Sequence, residues 1–241
     1  PWVLGVGYYR RRVDIPADWA GGVAALELGG VTLQAWVWVN GKLAGHHFGH
    51  STPAVMEVHD LLRPGETNEI IIAVTNLGPD RGGFALQGFA GHTAGIYRSV
   101  TLRCSGAARI ADCYVYPDAD LRTLHWNVET SALGATAGAV LEWSVTGPDT
   151  GEALGAGRQD ASSSPVAWRT DSLGMATWSD RRPRLYEISL RLSSAGGELL
   201  DCRCQSFGLR RMTRDGVDLL LNGDPIFLRG DASFSPISIR M

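Results

Sequence analysis

Two kinds of side chain that can bind ligands lie close together in the first fifty residues. Trp36 and Trp38 are two positions apart, so on a β-strand both indole rings lie on one face, where they could stack on a sugar ring. The alternative, which the sequence favours, is that both fill the space between two packed sheets. His46, His47 and His50 form a cluster that could ligate a metal ion. The alternative for the cluster is a structural role, and we expect no metal ion and no cofactor.

The four cysteines are too few for a disulfide scaffold in a chain of 241 residues. Cys202 and Cys204 are separated by one residue, which on a strand places both on one face and makes a mutual disulfide geometrically poor. Cys104 and Cys113 do not add the second closely spaced pair that a metal or redox site needs. We therefore predict that the cysteines are small, buried hydrophobic residues.

Composition and charge exclude several classes of protein. Hydrophobic residues make up 44% of the chain, enough to bury a core, and 30 glycines and 11 prolines favour many short elements joined by turns. The net charge of −3 gives no electrostatic footprint for a nucleic acid. We therefore expect no nucleic acid as a partner. No stretch reaches the roughly 18 apolar residues that a membrane span requires, so we also expect no membrane as a partner.

Apolar and polar residues alternate with a period of two along most of the chain, which is typical of strands. Between Leu33 and Val39 the odd-numbered positions point one way and the even-numbered positions the other, and Asn40-Gly41 then predicts a tight hairpin turn. Tyr186 to Ser193 alternates most regularly, and no window shows a sustained period of 3.6. Strands with turn signals about every 8 to 12 residues indicate all-β sandwiches.

A small-residue stretch at 105–108 marks the predicted boundary between two strand groups. We place a first domain at 1–104, a second at 105–209 and a third, incomplete piece at 210–241. Residues 151–165 are rich in Gly, Ala and Ser and predict a loop inside the second domain. The third piece begins with a predicted hairpin that turns at Asn222-Gly223.

Four patches in fixed order resemble the N-terminal region of glycoside hydrolase family 2, the group of β-galactosidases, β-glucuronidases and β-mannosidases. They are 8–16 with Trp19; 37–42 followed by spaced glycines; 63–68 followed by Gly95-Ile96-Tyr97-Arg98; and a set between Trp178 and Gly230 that includes Phe207-Gly208-Leu209-Arg210. The match departs from the family pattern at Tyr8 and Val13, where we expect Trp and Phe. The histidine cluster falls in the family's loop after the Asn-Gly turn, where a histidine is a structural residue.

The resemblance implies a jelly-roll sugar-binding-like sandwich, then an immunoglobulin-like β-sandwich, then the first strand of a truncated (β/α)8 barrel. Retaining hydrolysis uses two carboxyl groups about 5 Å apart, and in the family both are glutamates on later barrel strands. A whole barrel takes about 250 residues, so the resemblance implies that this chain carries no catalytic residue. Asn68-Glu69 matches the family's acid dipeptide by type alone, and we interpret Glu69 as a charge at a strand edge.

The same resemblance places Asp231 and Ser233 at the C-terminal end of the first barrel strand, the end at which such barrels bind substrate. Both are candidate substrate-adjacent residues. Arg229-Gly230-Asp231 also spells an adhesion tripeptide, which its position at the barrel start argues against. In some relatives an acidic loop residue reaches the sugar of the barrel. Here that position falls near Phe89, and Asp80 is the nearest acid upstream.

The leading hypothesis is that this is the non-catalytic N-terminal part of a retaining β-glycosidase, which supports the barrel and its substrate entrance. Its partner would then be a β-glycoside carbohydrate bound through the barrel, with a homo-oligomer of the full protein left open. The alternatives are a free-standing carbohydrate-binding module and a purely structural pair of sandwiches. Residues 215–241 are expected to be mobile or held by another chain. The compartment is not predicted.

Overall fold

The computed structural model describes residues 5–49, 52–75, 95–148 and 151–228. Apart from two short 3-10 helices at Ala17–Trp19 and His59–Leu61, its regular elements are strands, which confirms the all-β prediction. No helix in these ranges is long and apolar enough to cross a membrane. The predicted start of the barrel at 210–241 is described only as far as residue 228.

Seven strands of the described residues form the first sandwich. They are β1 (Val6–Asp14), β2 (Ala24–Leu28), β3 (Gln34–Val39), β4 (Lys42–Phe48), β5 (Ala54–Glu57), β6 (Thr67–Thr75) and β7 (Val100–Cys104). One sheet has the order β1-β6-β3-β4 and the other has the order β5-β2-β7, with all pairs antiparallel. Leu26 and Leu28 pack between the sheets with Val37 and Val39, and each of the four is buried. The inner positions of β3 are therefore the odd-numbered ones.

The Asn40-Gly41 turn is confirmed, because both residues have positive φ values, of 50° and 78°. The Asn40 side chain then bridges to β6, where its Nδ2 donates to Asn68 Oδ1 at 2.7 Å and its Oδ1 accepts from the Glu69 backbone at 3.0 Å. Asn68 is fully buried and also holds the turn at Arg63. These two amides fix one end of the four-stranded sheet.

The second sandwich also has seven strands. They are β8 (Ala108–Pro117), β9 (Thr123–Ala132), β10 (Val140–Thr146), β11 (Ala153–Asp160), β12 (Val166–Asp171), β13 (Tyr186–Ser193) and β14 (Leu199–Phe207). The sheets have the orders β11-β10-β13-β14 and β12-β9-β8. Trp126, Trp143 and Trp168 form a triangle of indole rings, with the Trp126 centroid 5.2 Å and 5.1 Å from the other two and those two 6.2 Å apart. This indole cluster belongs to the core of the second sandwich.

The predicted loop at 151–165 is wrong over most of its length, because β11 lies inside it and pairs with β10. Its small residues have a packing role: a Cβ atom at Gly157 would lie 2.9 Å from the indole of Trp143, and one at Gly155 would lie 2.8 Å from Leu173. Composition suggested a loop, but the glycines of this strand make room for large side chains on its neighbours.

Side chains of β14 bond the open edge of β8, the last strand of its sheet. The Asp201 carboxylate accepts from the Ile110 backbone at 2.7 Å. Arg203 donates to the Ala111 carbonyl oxygen at 2.8 Å, where the register shifts, and Gln205 donates to that of Cys113 at 3.0 Å. These contacts satisfy backbone groups that have no strand partner and close one side of the sandwich.

A small third sheet follows the second sandwich: β15 (Met212–Asp215), β16 (Asp218–Leu221) and β17 (Asp224–Pro225). The predicted Asn222-Gly223 turn is present, with φ values of 57° and 92°. Asn222 Nδ2 donates to the Trp178 carbonyl oxygen at 2.8 Å, and its Oδ1 accepts from the Arg211 backbone at 3.0 Å. The described part of the segment is therefore attached to the second sandwich through Asn222. The expectation that residues 215–241 are mobile or held by another chain stays a prediction.

Candidate functional site

The two tryptophans singled out by the sequence lie on the outer face of the four-stranded sheet, which is the face turned away from β2, β5 and β7. Along β3 the buried residues are Ala35, Val37 and Val39, whereas Trp36 and Trp38 are only partly buried. The favoured interpretation, that they fill the space between the sheets, is therefore wrong. Both faces of β3 are apolar, and the larger side chains point outward.

Trp36 belongs to a row of neighbouring side chains that crosses the outer face. Strand register places Tyr8, Ala73, Trp36 and His46 side by side on β1, β6, β3 and β4. The Trp36 and His46 rings are stacked with centroids 4.7 Å apart, and His46 Nε2 lies 3.2 Å from Gln34 Oε1. Sequence reasoning missed Tyr8, because Val6–Asp14 does not alternate between polar and apolar residues and only the pairing of β1 with β6 places it here.

The two described members of the histidine cluster lie on opposite sides of β4. His46 lies on the outer face beside Trp36, while the adjacent His47 points to the opposite side of β4, and His50 lies outside the described residues. Within the described ranges no group of three or more His, Cys, Asp or Glu side chains could hold a metal ion.

Asn68 and Glu69 have structural roles in the first sandwich. The Asn68 amide is buried in the turn network described above, and the Glu69 carboxylate accepts from Arg10 Nε at 2.5 Å. Arg12 Nε lies 3.9 Å from the same carboxylate oxygen. The outer face thus continues from its aromatic row into a row of charged side chains.

Several predicted positions fall outside the described residues. These are the substrate-adjacent candidates Asp231 and Ser233, the tripeptide at 229–231, and Asp80 and Phe89 of the loop before Gly95. Their roles stay predictions. The candidate site residues that the structure describes therefore lie on the outer face of the four-stranded sheet or between the two sandwiches.

A cleft of about 510 Å³ lies between the two sandwiches. The Arg109 guanidinium of β8 reaches the Glu57 carboxylate of β5 at 3.1 Å, so an ion pair links the two sandwiches beside this cleft. Burial raises the pKa of Glu57, but hydrogen bonds from Ser131 and Arg109 and the nearby positive charges outweigh it, and the net pKa is lowered. The pair is one of the contacts that connect the second sandwich to the first.

The same cleft corrects the prediction for the cysteines. Cys202 and Cys204 line it and are exposed, because they lie on the outward side of β14 while Asp201 and Arg203 turn toward β8. Cys113 is buried as predicted, and Cys104 is partly buried. All four are free thiols.

Two family models match the chain in succession. The model described as glycosyl hydrolases family 2, sugar binding domain, matches residues 1–105, and the model described as glycosyl hydrolases family 2 matches residues 108–210. These matches cover the two sandwiches in the order in which the sequence resemblance placed them.

Similar curated proteins are much longer than this chain. A β-galactosidase of Aeromonas hydrophila is 26% identical over 236 residues, which cover 93% of this chain and 22% of that protein. A β-galactosidase of Klebsiella pneumoniae is 29% identical over 242 residues, which cover 93% of this chain and 23% of that protein. A β-glucuronidase of Paenibacillus borealis is 22% identical over 259 residues, which cover 98% of this chain and 41% of that protein. The chain thus spans less than half of each of these relatives.

Solved structures show the same fold. The β-glucuronidase of Bacteroides uniformis superposes with a TM-score of 0.78 at 24% identity, covering 95% of this chain and 29% of that one. A family 2 glycosyl hydrolase of Bacteroides cellulosilyticus also has a TM-score of 0.78, at 23% identity, covering 95% and 32%. With both sandwiches matched by models of one family, the chain belongs to glycoside hydrolase family 2.

Proposed function

We propose that this chain is the non-catalytic N-terminal part of a retaining β-glycosidase and that it braces the catalytic barrel and shapes one wall of the barrel's entrance. The observation that carries the proposal is the coverage: the chain aligns over 93% of its own length with β-galactosidases of which it spans only 22–23%. Family membership supports the reaction class, in which two carboxyl groups of the barrel do the chemistry.

Two features of the structure support a bracing role. The third sheet, β15 to β17, is clamped to the second sandwich by Asn222, so a segment that continues from it starts from a fixed position. Strand β1 forms an edge of the four-stranded sheet, and each of its residues except the partly buried Val13 is exposed. An edge strand with this exposure is a surface that a further domain of the same protein can cover.

The proposal is tested by comparing the glycosidase activity of this chain with that of the protein encoded by the full coding sequence. Both proteins are assayed with the p-nitrophenyl β-glycosides of galactose, glucuronic acid and mannose. We expect no hydrolysis by the 241-residue chain and hydrolysis of at least one substrate by the full protein. Hydrolysis by the chain alone, or a coding sequence that stops at Met241, would overturn the proposal.

Asp231 and Ser233 are proposed as residues beside the substrate in the full protein, on the family resemblance alone. In the full protein, the KM values of Asp231→Ala and Ser233→Ala are compared with that of Asp218→Ala, a control at an exposed position of β16. A higher KM in the first two variants and an unchanged KM in the control is the expected result. Unchanged kinetics in all three variants would remove the assignment.

A second candidate function is a carbohydrate-binding module that acts without a barrel. The outward orientation of Trp36 and Trp38 favours it, because a core role no longer accounts for these rings. Titration calorimetry of the chain with β-galactosides, β-glucuronides and β-mannosides tests this candidate. Heat of binding with no activity anywhere in the intact protein would favour it over the leading proposal.

A further inference from the structure

Cys202 and Cys204 are two free thiols on one side of one strand. Both are exposed, and both line the cleft between the two sandwiches. Strand β14 pairs with β13 without a register shift between these two positions, so both side chains leave the same face of the sheet. Side chains two positions apart on a strand start about 6.6 Å from each other. The two thiols are therefore neighbours at the edge of a sheet, open to solvent.

The spacing of the two thiols is too long for a disulfide between them, since that bond needs Cβ atoms about 3.5–4.5 Å apart. It suits a metal ion that is bound in a line between two sulfur atoms. Two metal–sulfur bonds of about 2.3 Å place the sulfur atoms about 4.6 Å apart, so each sulfur needs to lean inward by only about 1 Å. Exposed side chains of a strand lean along it in either of two common χ1 rotamers, so the pair can reach this geometry.

The groups around the two thiols narrow the class of ion. Directly opposite them on β13 lie Arg191, which has no acceptor for a cation, and Ser189, whose Oγ is 3.5 Å from Cys204 Sγ. The adjacent carboxylate, that of Asp201, accepts from the Ile110 backbone on the other side of the strand. In the described part of the chain no third His, Cys, Asp or Glu side chain completes a group that could hold a metal ion. The described residues therefore offer two sulfur ligands and no carboxylate.

We propose that Cys202 and Cys204 bind one soft monovalent ion of the class of Cu(I) and Ag(I) in two-coordinate geometry. Thiolates select such ions, whereas hard cations prefer oxygen ligands. A structural Zn²⁺ needs four ligands, but a two-coordinate ion needs only this pair. On binding, both thiols release their protons to solvent and Cu(I) keeps its oxidation state. The proposal goes beyond the proposed function, since it uses no residue of a barrel and no glycosidase activity.

Anaerobic titration of the reduced 241-residue chain with Cu(I), in competition with the chromophoric chelator bicinchoninate, tests the proposal. We expect one Cu(I) ion per chain, and X-ray absorption at the copper edge should show two sulfur ligands and no nitrogen or oxygen ligand. An excess of Zn²⁺ of about tenfold should leave Cu(I) in place, because a single thiolate pair favours the softer ion. No binding, two ions per chain, a third ligand, or an ion shared between two chains would overturn the proposal.

Variants test the pair and its spacing. Cys202→Ser and Cys204→Ser each remove one ligand at an exposed position, with little effect on folding, and should weaken Cu(I) binding at least about 100-fold. Cys104→Ser is the control, since Cys104 lies on another strand, and it should leave the affinity unchanged.

The spacing itself can be restored at a neighbouring position. Ser206 is the next exposed residue on the same side of β14, so the double variant Cys202→Ser, Ser206→Cys has a thiol pair with the original separation. We expect this double variant to bind one Cu(I) ion with an affinity within about tenfold of the native chain. Binding that survives Cys202→Ser, or that Ser206→Cys does not restore, would contradict the assignment to this strand face.

Discussion

The side-chain amides of Asn40 and Asn68 are hydrogen bonded to each other at 2.7 Å, 28 residues apart in sequence. Both amides also donate to backbone carbonyl oxygens of the segment 61–66: Asn40 to that of Leu61, and Asn68 to those of Arg63 and Glu66. All four hydrogen-bonding positions of the Asn68 amide are used. A buried polar pair of this kind stabilises the fold only while it stays fully bonded.

Asn68→Asp should therefore destabilise the first sandwich strongly without changing its shape. A carboxylate oxygen would replace the amide nitrogen that donates to the Arg63 and Glu66 carbonyl oxygens, at 2.9 Å and 2.8 Å. We expect the free energy of unfolding to fall by about 3 kcal/mol, measured by urea denaturation. Glu69→Gln is the neighbouring control at a partly exposed position and should cost less than about 1 kcal/mol. Equal stability of the two variants would refute the role given to Asn68.

The link between the sandwiches should weaken in acid. The Glu57 pKa is lowered in the folded state from its usual 4.5, so the stability from its ionised form is complete above that value and is lost as pH falls through the folded pKa. Glu57→Gln should therefore be less stable than the native chain at pH 7, and the difference should shrink below about pH 4.

Thermal unfolding followed between pH 3 and 7 checks this prediction. The control is Glu27→Gln, which removes an ion pair with the exposed Arg103 inside the first sandwich and should cost little at any pH. A difference between the native chain and Glu57→Gln that stays constant with pH would show that the carboxylate contributes no proton-linked stability.

Asn222 should control the attachment of the third sheet. Asn222→Ala removes the hydrogen bonds to Trp178 and Arg211 and leaves the Trp178 carbonyl oxygen without this donor. We expect the Ile226 amide, which donates to Leu219 at 2.9 Å, to exchange its hydrogen roughly tenfold faster. Val217→Ala, at the 96% exposed tip of the hairpin, is the control and should leave exchange unchanged. Similar exchange in both variants would mean that Asn222 is not the clamp.

Gly157 should tolerate no side chain. A Cβ atom there would lie 2.9 Å from Cζ2 and Nε1 of Trp143, so Gly157→Ala must displace an indole of the core. We expect a loss of about 1–3 kcal/mol in the free energy of unfolding. At Gly134 nothing lies within 4 Å of an added Cβ, and Gly134→Ala should have almost no effect in the same urea titration. A Gly157→Ala variant as stable as the Gly134→Ala variant would contradict the packing argument.

The thiols should fall into two classes of reactivity toward Ellman's reagent. Cys202 and Cys204 are exposed and should react within minutes in the folded chain. Desolvation raises the pKa of buried Cys113 to about 11 and also raises that of the partly buried Cys104, so both should react slowly until the chain unfolds. The double variant Cys202→Ser, Cys204→Ser should lose the fast phase and keep the slow one. A fast phase that remains in that variant would show that a buried thiol is accessible.

Much of the fold could be predicted from local patterns. Period-two alternation predicted strands because neighbouring residues of a strand face opposite sides, and Asn40-Gly41 and Asn222-Gly223 predicted turns because those residues tolerate positive φ. These are properties of a residue and its immediate neighbours. The strands and both turns were confirmed, as was the all-β fold class.

Tertiary structure decided which face of each strand is buried. Both faces of β3 are apolar, so alternation could not show that Val37 faces the core and Trp36 faces outward. The positions of Cys202 and Cys204 depended in the same way on β14 being an edge strand whose inner side chains bond β8.

The contacts that close the structure join residues far apart in sequence. Asn40 meets Asn68 within the first sandwich, Arg203 meets Ala111 within the second, and Glu57 meets Arg109 between them. The sequence by itself determined the two Asn-Gly turns and most strands, β11 excepted, since their conformations depend on adjacent residues. Only the packing of the sheets decided these partners, because a hydrogen bond or ion pair forms where two chain segments meet in space.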